Sequence, residues 1–176
     1  MPSFLNKLQN KKLTFYLLLN ALLLISLIPG GPIENRDFSH IPAIYLIAFN
    51  GVLTALGMSS LLVAPLASRN YTVVAKVSKI IALAYLTVYV LDLFAIFPQT
   101  QSAMPWPLLC IELLGCLAAG LLYIECHFYE KRLVTMSAAK REAVFKSLSP
   151  MQILLMVLVA NGIVIFSTYS AIHSGS

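Results

Sequence analysis

Residues 85–112 read YLTVYVLDLFAIFPQTQSAMPWPLLCIE. An apolar run carrying Asp92 ends at Phe97-Pro98, and a second apolar run begins after Pro105-Trp106-Pro107 and carries Glu112. Proline cannot donate a backbone hydrogen bond inside a helix, but it suits a first helical turn. The pattern therefore predicts a helical hairpin with its turn at residues 98–107. Each arm extends into a charge-poor run of about 20 residues or more, the length that spans a bilayer core at about 1.5 Å per residue. Trp106 at the turn suits a membrane interface.

The rest of the chain has the same character. Apolar residues make up 59% and charged residues 11%, against about 25% charged in soluble domains. Too few charges remain to cover a water-facing surface. The expectation is an all-α, polytopic integral membrane protein, a single domain over residues 1–176. It is a bundle of five transmembrane helices, with spans at about 13–29, 43–67, 73–97, 107–129 and 150–172. A short surface helix is expected over about 131–148, where charges and alanines mix.

The punctuation supports these bounds. The basic start, with Lys7, Lys11 and Lys12, could open a signal peptide. The apolar run after it is longer than the usual h-region and lacks an A-x-A site, so a retained first span is expected. Lys11 and Lys12 can snorkel to lengthen it. Pro29-Gly30-Gly31-Pro32 stops that helix, Pro65 kinks or ends the second, and Ser149-Pro150-Met151-Gln152 reads as a capping box opening the fifth. Gly51 with Ala55, and Gly115 with Ala119, are small-xxx-small steps that let helices approach closely.

Charge placement sets the orientation. On the five-span reading, eleven of the 12 Lys and Arg residues fall on one side and Arg36 alone on the other. The positive-inside rule then places the amino terminus in the cytoplasm and the carboxy terminus outside. It also makes the sequon Asn70-Tyr71-Thr72 cytoplasmic and unused. The basic residues flank spans rather than form an aromatic-interleaved patch, so no nucleic-acid partner is expected. They suit contact with the lipid bilayer instead.

Ionisable residues inside spans are costly and face the bundle interior or water. Asp92 lies five residues before Phe97 and Glu112 five after Pro107, so the two carboxylates sit at matching depth below the outer surface. The loop 30–42, GGPIENRDFSHIP, brings Glu34, Arg36, Asp37 and His40 to the same side. Tyr85 and Tyr89 share a helix face with Asp92 at i, i+4 and i+7. These eight residues form the candidate outer polar cluster. The two phenols can bond each other or line a path to the carboxylate. The acids can carry a proton or a cation with His40 as outer relay. Alternatively, Arg36 folds over and pairs with Asp92 or Glu112 as a lock between loop and bundle.

Other polar residues suggest plainer roles. Asn20, Asn50 and Asn161 suit interhelical hydrogen bonds, and Glu125 suits an ion pair with Lys76 or Lys79. Cys110, Cys116 and Cys126 read as free thiols. No metal or cofactor is expected: Cys and His lack zinc spacing, and the sequence has no phosphate-binding glycine loop, HExxH, GxSxG or haem-type histidine pair. The expected role is a non-enzymatic subunit or accessory protein of a membrane complex, with other membrane proteins or further copies as partners. The runner-up is a proton- or ion-coupled carrier using the carboxylate pair, and the third reading is a membrane enzyme acting on a lipid. Short loops and few charges suit the plasma (inner) membrane of a bacterium.

Overall fold

A computed structural model describes residues 2–29, 33–67, 72–100, 102–135 and 150–173. The apolar runs fold as α1 (Pro2–Ser26), α2 (Ala43–Leu66), α3 (Thr72–Leu93), α4 (Trp106–Thr135) and α5 (Pro150–Ile172). No strand occurs among the described residues. Four segments are long and apolar enough to cross a membrane: Ala43–Leu66, Val73–Leu93, Trp106–Leu133 and Leu154–Ile172.

The first four helices close a ring, in which α1 and α3 each pack against both α2 and α4. The fifth lies outside this ring, principally against α2. The ring encloses a core of Leu13, Leu17, Ala82, Tyr85, Tyr89, Ala119, Leu122 and Tyr129. Polar cross-links pin the helices together: Thr14 Oγ1 donates to Ala64 O (3.0 Å), Tyr129 Oη to Ala67 O (2.8 Å), and Asn50 Nδ2 to Thr168 Oγ1 (3.2 Å). Such bonds matter where lipid cannot satisfy polar groups.

Three helices differ in their bounds from the expected spans, the first of them running Pro2–Ser26 rather than 13–29. The third helix ends at Leu93, four residues short of Phe97. Ala95 takes the left-handed conformation (φ 50°). Its N–H bonds Asp92 O and the Ile96 N–H bonds Leu91 O, both at 2.8 Å. This is a Schellman closure, formed here without the glycine that usually signals it, and it fixes Asp92 in the last turn. The fourth helix runs to Thr135, so residues 131–135 continue α4 rather than open the expected surface helix. The remainder of that helix, and Asn70 and Tyr71 of the sequon, lie outside the described residues.

Candidate functional site

The site begins in the segment between α1 and α2. Glu34, Arg36 and Phe38 are buried while Asn35 and Ser39 are exposed. This is the period of two of extended backbone, in which alternate side chains face opposite ways. The segment thus sends one acid, one guanidinium and one ring inward under the loop.

Arg36 is the hub. Its Nη1 and Nη2 donate to Asp92 Oδ1 and Oδ2, each at 2.8 Å. Nε and Nη2 donate to Glu34 Oε1 and Oε2 at 2.9 and 2.5 Å, and the Arg36 N–H also bonds Glu34 Oε1 (3.1 Å). Arg36 keeps only 3% of its surface exposed and lies 5.5 Å from the centroid of the Phe38 ring. Burial works against its charge, but the hydrogen bonds to Glu34 and Asp92 outweigh this and hold the guanidinium above its ordinary pKa. The planar fork of arginine grips two carboxylates at once, which an ammonium cannot do. Of the two pairings considered for Arg36, this geometry selects Asp92.

Glu112 is different. It is fully buried, and neither carboxyl oxygen has a hydrogen-bond partner in the structure. The Asp92 carboxyl approaches closely, and Arg36 and Glu34 lie within electrostatic range. The Asp92 oxygens, however, already accept from Arg36.

The remaining cluster residues separate from these four. Asp37 accepts from the Ser39 N–H (2.8 Å), and the Asp37 N–H meets Ser102 Oγ (3.3 Å). That Ser39 bond holds its carboxyl below the usual range. His40 is exposed, with Nε2 2.9 Å from Gln99 O. Both residues therefore tie the segment before α2 to the segment before α4, and His40 does not reach toward Asp92 or Glu112 as a relay. Tyr85 Oη lies 3.0 Å from Ser60 Oγ on α2, and Tyr89 Oη donates to Asn20 O (3.4 Å). The two phenols share one face and their rings stack at 6.1 Å, but their hydroxyls bond elsewhere rather than to each other. Beside the Arg36 cluster is a small cavity of ≈ 40 Å³ lined by Glu34, Arg36, Phe49, Tyr89, Asp92 and Pro98. A void of that size has room for a water or two.

Elsewhere the polar residues separate in the same way. Asn50 bonds across helices, but Asn20 Nδ2 donates to Tyr16 O and Asn161 Nδ2 to Val157 O, each within its own helix. Glu125 meets Lys12 at 3.8 Å rather than Lys76 or Lys79, because α1 also packs on α4; Lys79 pairs with Glu130. The three cysteines are free thiols. Among the described residues no group of three or more His, Cys, Asp or Glu is arranged to hold a metal ion.

The residues that sequence reading did not join were Glu34 to Arg36. The signal was available in the alternation of Glu34, Arg36 and Phe38.

The fold and site together define an all-helical, membrane-type protein whose segment between α1 and α2 is anchored to α3 by a buried three-residue ion cluster. The chain belongs to a family described as Domain of unknown function (DUF8051), whose model matches residues 9–144. That stretch contains Glu34, Arg36, Asp92 and Glu112; α5 lies beyond it. No curated protein and no solved structure matches the chain.

Proposed function

We propose that this chain is a non-enzymatic subunit or accessory protein of a membrane assembly. On this reading it has five spans, a cytoplasmic amino terminus and an outer carboxy terminus, and it sits in the plasma membrane of a bacterial cell. The supporting observation is the cleft between α2 and α5. It measures ≈ 440 Å³ and is lined by Gly51, Ala55, Met58, Ala160, Asn161 and Val164 among others. Small residues along such a cleft admit a close helix neighbour, which is how helices associate where lipid gives no hydrophobic drive. Asn161 lines it and is exposed, with Nδ2 bonded to Val157 O of its own helix, and a neighbouring helix would take up the rest of the amide's hydrogen-bonding capacity. The occupant that fits is a transmembrane helix of another polypeptide. The outer cluster supports the same reading, because Arg36 is occupied by internal carboxylates and the adjacent cavity is too small for an organic substrate. A carrier would need a wider opening at that point.

The test is purification in mild detergent followed by native mass spectrometry, with Gly51→Leu as the probe. A Cβ on Gly51 meets nothing within 4 Å, so the substitution leaves the isolated chain room to fold while it fills the cleft. The expected result is a stoichiometric second polypeptide that Gly51→Leu loses while the chain still accumulates. Purification as a lone monomer, or a second polypeptide retained by Gly51→Leu, overturns the reading. A defined homo-oligomer that Gly51→Leu dissolves replaces the second polypeptide with a second copy.

A further inference from the structure

Glu112 is the buried acid of the cluster that does not pair with Arg36. Its carboxyl is fully buried and both oxygens lack a partner. Buried polar groups are almost always paired, and an ionised carboxylate left unpaired carries the full desolvation cost.

The surroundings narrow what can relieve it. From α3 comes Asp92, with Tyr89 close behind; from the outer segment come Glu34 and Arg36; on its own helix Cys116 lies one turn away. The other helix packed on α4 is α1, whose charged Lys12 pairs with Glu125, 13 residues and so about 20 Å along α4 from Glu112. Its Tyr16 lies one turn below Asn20, toward that same end. Arg36 is therefore the single cation at this depth among the described residues, and its fork is spent on Glu34 and Asp92. With those three ionised the cluster already carries one net negative charge. Ionising Glu112 would make it two. The three acids do not form a metal-holding group, and complete burial denies a partner's side chain access. The geometry leaves the smallest cation. Asp92 and Glu112 are acceptors only when ionised, so contact between them satisfies neither; a single hydrogen turns the contact into an O–H···O bond.

We propose that Glu112 is a membrane-buried proton-binding site, neutral at physiological pH, whose O–H donates to Asp92 and so completes the Glu34–Arg36–Asp92 cluster. The proton adds to one carboxyl oxygen and leaves by the same route, with no other bond made or broken. Loss of the proton sets two carboxylates against each other and competes with Asp92 for Arg36, which links the charge on α4 to the hold on the outer loop.

The experiment is infrared spectroscopy of the full chain in lipid bilayers, with the glutamate carboxyl carbons isotopically labelled. The carbonyl stretch of a protonated acid is distinct from the two carboxylate stretches. At neutral pH a labelled protonated-acid band is expected. Glu112→Gln should remove it, Asp92→Asn should shift it, and strong alkali should convert it to carboxylate bands together with faster protease cleavage in residues 33–42. If Glu112→Gln does not fold, Glu112→Asp makes the same assignment, because its carboxyl lies outside the glutamate label and the labelled protonated-acid band should vanish. A spectrum with carboxylate bands alone at neutral pH overturns the proposal, as does a protonated band that persists unchanged in Glu112→Gln.

Discussion

Removing Arg36 should be among the most damaging single changes available outside the helices. In Arg36→Ala, four side-chain hydrogen bonds disappear. Two carboxylates are left facing each other at low exposure, with the Glu34 side chain at 4% and Asp92 at 13%. Removing one partner of a buried ion pair costs about 3–5 kcal/mol because the remaining charge stays buried and unpaired. At about 1.4 kcal/mol per factor of ten, that shifts the folding equilibrium by roughly two to three and a half orders of magnitude. Exposed pairs contribute about 0–1 kcal/mol, so the two situations differ by more than experimental error. Arg36→Lys should recover only part of the loss, since one ammonium cannot bridge Glu34 and Asp92 in the fork geometry. The triple variant Glu34→Gln, Arg36→Met, Asp92→Asn should recover most of it, because no charge remains stranded. The assay is equilibrium unfolding in mixed micelles, followed by the fluorescence of the only tryptophan, Trp106. A loss below about 1 kcal/mol for Arg36→Ala would show that the cluster is solvated and that the lock is not what holds the loop.

Two further substitutions probe the packing around the cluster. A Cβ at Gly115 would fall 2.5–2.7 Å from the Tyr89 ring, and that ring is buried, so Gly115→Ala should cost about 1–3 kcal/mol in the same unfolding assay; a neutral result would mean that Tyr89 moves freely. Ala95 holds a left-handed φ of 50°, which costs a non-glycine residue about 1–2 kcal/mol; Ala95→Gly should therefore stabilise by up to about 1 kcal/mol after its extra unfolded-state entropy, and a destabilised variant would count against the Schellman closure of α3.

Much of this architecture could be read from residue order. The positions of α2 and α5 follow from charge-free, mostly apolar runs that open at Pro42 and Pro150, with Pro65 in the last turn of α2, because proline marks helix starts and last turns by covalent geometry. The end of α3 could not be read this way. Its closure uses Ala95, and an alanine in the left-handed region leaves no compositional trace. Matching depth for Asp92 and Glu112 followed from counting along two helices. Which of them Arg36 takes did not, because that depends on how the segment between α1 and α2 folds back. Its alternation of buried Glu34, Arg36 and Phe38 with exposed Asn35 and Ser39 carries the answer, yet three inward residues make too short a pattern to separate from chance.

Interior and exterior are also harder to tell apart in such a chain than in a soluble one. Helices apolar all round give no amphipathic stripe to follow. Here the inward faces are marked by the small and polar residues: Asn20, Ser60, Ser78, Gly115, Ala118 and Glu112 are buried, while Ile44, Ile80, Phe94 and Ile165 face outward. In a membrane this arrangement is the economical one, since lipid accommodates large apolar side chains as well as protein does, and polar groups need protein partners. Asn161 and Gly162 on α5 depart from this pattern, as do Ala55 on α2 and Thr87 on α3. Each is small or polar, and each is exposed. On the proposed function, Asn161 faces a helix of another polypeptide seated in the α2–α5 cleft that it lines.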